Sequence, residues 1–187
     1  MKSLDEKLAD AKAKEAEVRK EYEAVERRLH SACDRRAAVE CDILMTHADD
    51  MAYMINHPNT PGQHKQIRVL MKERYGLDNY EGIYPSMYNS KTMQQCFDVR
   101  VTPKNKDVVE RVLLDIAPLM KFSDYGVGRF IVFGVRSEDT GLDELAFDGE
   151  SWLAVRTAWR RSSVREKFAS LGDALDWVLR IHEKDED

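Results

Sequence analysis

Residues 4–43 read LDEKLADAKAKEAEVRKEYEAVERRLHSACDRRAAVECDI. No proline or glycine interrupts this stretch, and none follows before Pro58. Ser3 stands just ahead of it with Glu6 three residues later, the pair that closes a capping box on a helix N-terminus. Leu4, Leu8, Ala11, Val18, Tyr22, Val25, Leu29, Ala32, Val39 and Ile43 fall alternately three and four apart once Glu15 and Arg36 are counted into the series. An apolar period of about 3.5 residues is the a/d seam of a coiled coil, interrupted here at Glu15 and Arg36. Lys, Arg and Glu fill the flanks. The stripe stays narrow for about five heptads, whereas a helix lying on a globular core shows a wider apolar arc. A helix of about 50 residues would also run about 75 Å, longer than the core of one small domain. The expectation is a homodimer, or a higher even oligomer, held by Leu8, Val18, Tyr22, Val25 and Leu29. Pairing with an internal helix and pairing with another protein are the alternatives.

From Ala37 onward the helix grows more apolar, so its C-terminal end is expected to dock on a domain, making residues 1–57 an arm. Asn56-His57-Pro58-Asn59-Thr60-Pro61-Gly62 is a stop and restart, with Thr60 as cap and Pro61 at the first position of a second helix. Ile67, Leu70, Met71 and Tyr75 form its buried side, and Gly76 stands where a C′ glycine belongs. Residues 77–93 have weak periodicity but several tyrosines. Residues 58–93 therefore read as a short helix plus a connecting segment in which Tyr80, Tyr84 and Tyr88 offer an adhesive surface.

Residues 94–187 carry clearer signals. Phe97, Val99 and Val101 alternate as a strand, and 103–120 has helical periodicity. Phe130–Val135 is an apolar strand, and Asp148-Gly149 marks a hairpin between two more. A further strand spans Val164–Phe168. Ser170 with Asp173 then opens a last amphipathic helix. The order β-α-β-β-β-β-α predicts an α+β fold, a small mixed or antiparallel sheet with helices on one face.

The whole chain has 187 residues, 34% of them charged, with 29 basic against 34 acidic side chains. A net charge of −5 leaves no global positive field for a polyanion, though a local patch remains open. Cys33, Cys41 and Cys96 are odd in number and unpatterned, unlike a disulfide framework or a zinc ribbon. No apolar run approaches the roughly 18 residues of a membrane span, and the charged start lacks a signal-peptide core. Cytoplasm is the expected location, with no membrane partner.

Motifs for chemistry are sparse. No Walker loop, dinucleotide fingerprint, nucleophile elbow or zincin helix is present. His47 and Asp50, one helical turn apart, with His57 and His64 beyond, are the best metal candidates, and would support a metal-dependent enzyme. Arg156, Arg160, Arg161, Arg165 and Lys167 surround Trp159, a mixture of cations and a stacking ring that suits nucleic acid or nucleotide phosphate. On alternating strands these residues would split between faces, and acidic neighbours could neutralise them. The closing stretch Phe168-Ala169-Ser170-Leu171-Gly172-Asp173-Ala174-Leu175-Asp176-Trp177 resembles small accessory proteins of bacteria and their phages; the resemblance covers about the last twenty residues and assigns no site. The expected function is a non-enzymatic, oligomeric accessory or inhibitor protein, phage or mobile-element encoded, that occupies a protein target. Nucleic-acid binding and metal-dependent catalysis are the alternatives, and no cofactor is expected.

Overall fold

A computed structural model describes residues 3–78, 81–125, 128–136, 143–156 and 164–183. The chain forms two compact units, Met1–Ile43 and Leu44–Asp187. No helix among the described residues is long and apolar enough to cross a membrane.

The first unit consists almost wholly of helix α1, which runs Leu4–Thr46, three residues past the boundary at Ile43. The capping box forms as its spacing predicts: Glu6 N donates to Ser3 Oγ at 3.2 Å and Ser3 N to Glu6 Oε2 at 2.7 Å. Of the apolar residues after Ala37, Val39, Ile43 and Met45 are exposed, and burial begins at Leu44. The helix does not continue to residue 57. Asp50 has extended backbone and its Oδ1 accepts the Tyr53 amide at 3.0 Å, so it caps a separate short helix, α2 (Met51–Asn56). An aspartate that can bond its own backbone competes with helix propagation, which ends the long helix without glycine or proline.

In the second unit α3 spans Gln63–Tyr75, and its N-cap is Gly62 rather than Thr60. Gly62 adopts φ +85°, a left-handed turn in which glycine carries no Cβ penalty. Gly76 closes the helix at φ +70°, its amide reaching the Lys72 carbonyl at 2.9 Å, the bond of an αL C-cap.

Among the described residues seven strands form the sheet: β1 (Ile83–Asn89), β2 (Gln94–Arg100), β3 (Ser123–Tyr125), β4 (Gly128–Arg136), β5 (Asp143–Phe147), β6 (Trp152–Arg156) and β7 (Val164–Phe168). The order is β1-β2-β4-β5-β6-β7, with β3 paired only to β4. All pairings are antiparallel except β2 with β4, which α4 (Lys106–Ile116) and a short 3-10 turn connect. Parallel neighbours need such a crossover. The last helix, α5, spans Leu171–Glu183; Asp173 N donates to Ser170 Oγ at 3.1 Å at its start.

The core explains the layering. Ile83, Phe97, Val99, Ile131, Phe133, Val135, Leu145, Trp152 and Ala154 share one cluster with buried residues of α2, α3, α4 and α5. All nine lie on one face by strand alternation, so the helices cover that face and the fold is α+β, as the sequence pattern predicts. Buried glutamines tie the edges of this layer. Gln94 exchanges two hydrogen bonds with the Lys121 backbone, at 3.0 and 2.7 Å, and Gln63 Nε2 donates to Met54 O at 2.7 Å.

Two strands escape the sequence pattern. β1 occupies the segment expected to be a connector, and its pairing shifts register between Pro85 and Tyr88. A bulge and a proline both erase the period-two signal, and both are tolerated because β1 is an edge strand. β3 has three residues, too few to show alternation.

Candidate functional site

The apolar series of α1 is left in water. Leu4, Leu8, Val18, Tyr22, Val25, Leu29, Val39 and Ile43 all face solvent, with exposures from 47% for Ile43 to 84% for Leu4. Ala11 and Ala32 in the same series are exposed too. Around them the helix surface is held by i,i+4 ion pairs, Arg19 with Glu23 at 3.8 Å and Arg36 with Glu40 at 3.4 Å. These apolar side chains, at coiled-coil spacing, stand exposed in a row along a helix of 43 residues.

The tyrosines and arginines scatter. Tyr84 and Tyr88 fall on the edge strand β1, both half-buried; Tyr80 lies outside the described residues. Tyr88 donates its hydroxyl to Met93 Sδ, beside the exposed Met87. Tyr84 also borders an open cleft of about 280 Å³ between α3 and β1, where Lys65, Arg68 and Lys72 are found and Asp78 pairs with Lys72 at 3.1 Å. In the basic strands Val155 opposes Arg165 while Arg156 opposes Val164, so Arg156 and Arg165 occupy opposite faces. Trp159, Arg160 and Arg161 lie outside the described residues. Lys167 is engaged by Asp148 at 3.0 Å. Arg165, Glu166 and Lys167 are exposed along β7, the other edge of the sheet, where charge discourages pairing with a stray strand.

The histidines have separate jobs. His47 stacks on Tyr53 with ring centroids 4.0 Å apart, and His57 stacks on the same tyrosine at 3.9 Å. The Asp50 carboxylate accepts an α2 amide, and His64 Nε2 meets Gln95 Oε1 at 2.9 Å. Among the described residues no group of three potential ligands converges to hold a metal, so His47, Asp50, His57 and His64 do not form the site their spacing allowed.

The sheet face away from the helices has a feature that no short motif marks. Tyr84, Asp98, Gly134, Glu144, Val155 and Arg165 lie in one row across six strands. Asp98 and Glu144 thus stand on either side of Gly134 in this row. Burial raises the Glu144 carboxyl above its ordinary range, and Arg165 acts against that shift. A carboxyl raised on folding contributes stability below its unfolded pKa and loses it as pH rises through the folded value. Glu144→Gln is therefore expected to match the native chain in urea unfolding at low pH and to exceed it at pH 7. The gain should stay under about 1 kcal/mol because water still reaches the group. A variant less stable than native at pH 7 would mean that attraction to Arg165 outweighs burial.

No protein family, curated protein or solved structure matches this chain.

Proposed function

We propose that this chain is a non-enzymatic interaction protein that self-associates through α1 and displays its α+β units, as a bivalent accessory or inhibitor, to a macromolecular target. The exposed seam carries the proposal. Covering the wet surface of one such side chain contributes about 1 to 2 kcal/mol, and two copies supply sixteen of them. The gross gain exceeds the roughly 4–15 kcal/mol that association costs. The helix needs it as well: an isolated helix gains little from propensity alone and is held mainly by packing on its apolar side.

Sedimentation or light scattering of the full chain across micromolar concentrations tests this. The expected mass is twice the 21.6 kDa of one chain. A mass of one chain at every concentration would remove self-association and leave a partner helix as the seam's occupant. For the target, β1 and the turn that follows it are the candidate contact, since Tyr84, Tyr88 and the exposed Met87 and Met93 combine aromatic area with adaptable thioethers. Affinity for a captured target should fall in the Tyr84→Ala/Tyr88→Ala chain, and unchanged affinity would move the interface elsewhere.

A further inference from the structure

We infer that the α1 helices pair antiparallel, in one register, with Tyr22 of one copy opposite Val25 of the other. This rests on the self-association proposed above and adds its orientation. The series assigns Leu8, Glu15, Tyr22, Leu29, Arg36 and Ile43 to position a, and Leu4, Ala11, Val18, Val25, Ala32 and Val39 to position d. The structure shows both sets on one continuous helix, and each large apolar member is exposed.

A parallel dimer closed by a two-fold axis stacks each position on itself. Glu15 would then meet the partner's Glu15, and Arg36 the partner's Arg36, inside the seam. The flanks fare no better. Position g of one helix meets the following e position of the other, which opposes Lys7 to Lys12, Lys14 to Arg19 and Glu21 to Glu26. Only Arg35 with Glu40 attracts among the charged pairs. Like charges so placed repel, and the buried ones are left without compensation.

Turning one helix around places a against d. With Tyr22 on the partner's Val25, the layers become Leu8 with Val39, Glu15 with Ala32, Leu29 with Val18, Arg36 with Ala11, and Ile43 with Leu4. All twelve seam positions are used. Each polar residue faces an alanine, whose small side chain leaves room for it to reach water. The two polar layers are also adjacent, so Glu15 stands one turn from the partner's Arg36. Sliding by a heptad in either direction sets Glu15 on Val25 or Val39 and Arg36 on Leu4 or Val18, and leaves seam residues at the ends uncovered. On the flanks g now meets g and e meets e: Lys7 with Asp42, Glu21 with Arg28 and Arg19 with Glu26 attract, while Lys14 with Arg35 and Asp5 with Glu40 repel. Glu15 lies beside the Lys14–Arg35 contact and offsets it. Charge thus favours the antiparallel form in the seam and along both flanks.

One consequence is spacing. The C-terminal ends of the paired helices fall about 60 Å apart at 1.5 Å per residue, and Leu44 follows Ile43 directly in each copy.

Cys33, exposed at an e position, provides the test. In the antiparallel register it opposes Lys12 of the partner; in the parallel dimer it opposes Arg28. Full-length Lys12→Cys and Arg28→Cys chains are to be oxidised with glutathione, or treated with a short bis-maleimide, and the links mapped by peptide mass spectrometry. Opposed thiols in one dimer experience millimolar effective concentrations. Lys12→Cys is expected to convert most of the chain into a covalent dimer linked between position 12 and Cys33, and Arg28→Cys to stay at the wild-type background. In a parallel dimer positions 12 and 33 would be about 30 Å apart, beyond either linkage. A link from Arg28→Cys to Cys33 would overturn the orientation. Two unlinked variants that still sediment as dimers would overturn the register, and monomers throughout would overturn the self-association beneath it.

Discussion

Replacing Val18 and Val25 together by lysine is expected to convert the full chain from dimer to monomer and to remove much of its helical signal at low micromolar concentration. Both are d positions near the middle of the seam, 64% and 61% exposed in the single chain. In the antiparallel register they oppose Leu29 and Tyr22, so one double substitution inserts four ammonium groups among the largest layers. A charge buried there without a partner is disfavoured by several kcal/mol. Lysine is chosen because it is a better helix former than valine. The substitution therefore favours the isolated helix, and any loss of helix must come from lost association.

The magnitude is readable because α1 holds half of the α-helical residues described, 43 against 6, 13, 11 and 13 in the other helices. Up to about half of the ellipticity at 222 nm is therefore at stake, since an unsupported helix of this composition is marginal in water. All three tryptophans, Trp152, Trp159 and Trp177, belong to the second unit, so their combined fluorescence reports on it independently and should be unchanged. A lysine variant that stays dimeric, with native ellipticity, would show that the seam is not the interface.

Local chemistry made much of this fold legible. The long α1 helix, the Ser3–Glu6 box, the Asp148-Gly149 hairpin, the Gly76 cap and the Ser170 start of α5 each need only a few neighbouring residues, and the structure shows each one. Where a feature depends on distant partners, the sequence is silent. The parallel placement of β2 beside β4 joins residues about 36 apart, Asp98 with Gly134, and no local pattern announces it. The row that sets Asp98 and Glu144 either side of Gly134 depends on two registers at once. Asp50 misled for a different reason. Its spacing from His47 suits a shared cation, yet the same carboxylate, extended in backbone, is better placed to cap α2. Arg156 and Arg165 do separate as strand alternation predicts from the sequence, since one opposes Val164 and the other Val155.

The other large effect is expected from Asp148→Ala, which should lower the stability of the second unit by about 2–3 kcal/mol at pH 7. Asp148 organises the β5–β6 turn almost alone. Its Oδ1 accepts the amides of Glu150 and Ser151 at 2.9 and 2.7 Å, and its Oδ2 accepts the Ser151 hydroxyl at 2.8 Å and Lys167 Nζ at 3.0 Å. Gly149 takes φ +103°, a conformation that other residues reach only with strain, and the Asp148 amide also donates to Ser151 O at 3.2 Å across the turn. Burial alone would raise this carboxyl, but the two amides, Lys167 and the Ser151 hydroxyl hold it well below the usual carboxylate range. A depressed folded pKa contributes stability above the unfolded value, and that contribution is lost as pH falls toward the folded one. The gap between native and variant in urea unfolding should thus be full at pH 7 and narrow below about pH 4. Asp148→Asn keeps an acceptor for the amides but gives up the charge, and should fall between the two. Lys167→Ala removes a side chain that is 66% exposed and should change stability by less than about 1 kcal/mol. If Asp148→Ala unfolds like the native chain at pH 7, the turn is closed by strand pairing and its carboxylate is incidental; if the gap persists unchanged into acid, the bonds matter but the charge does not.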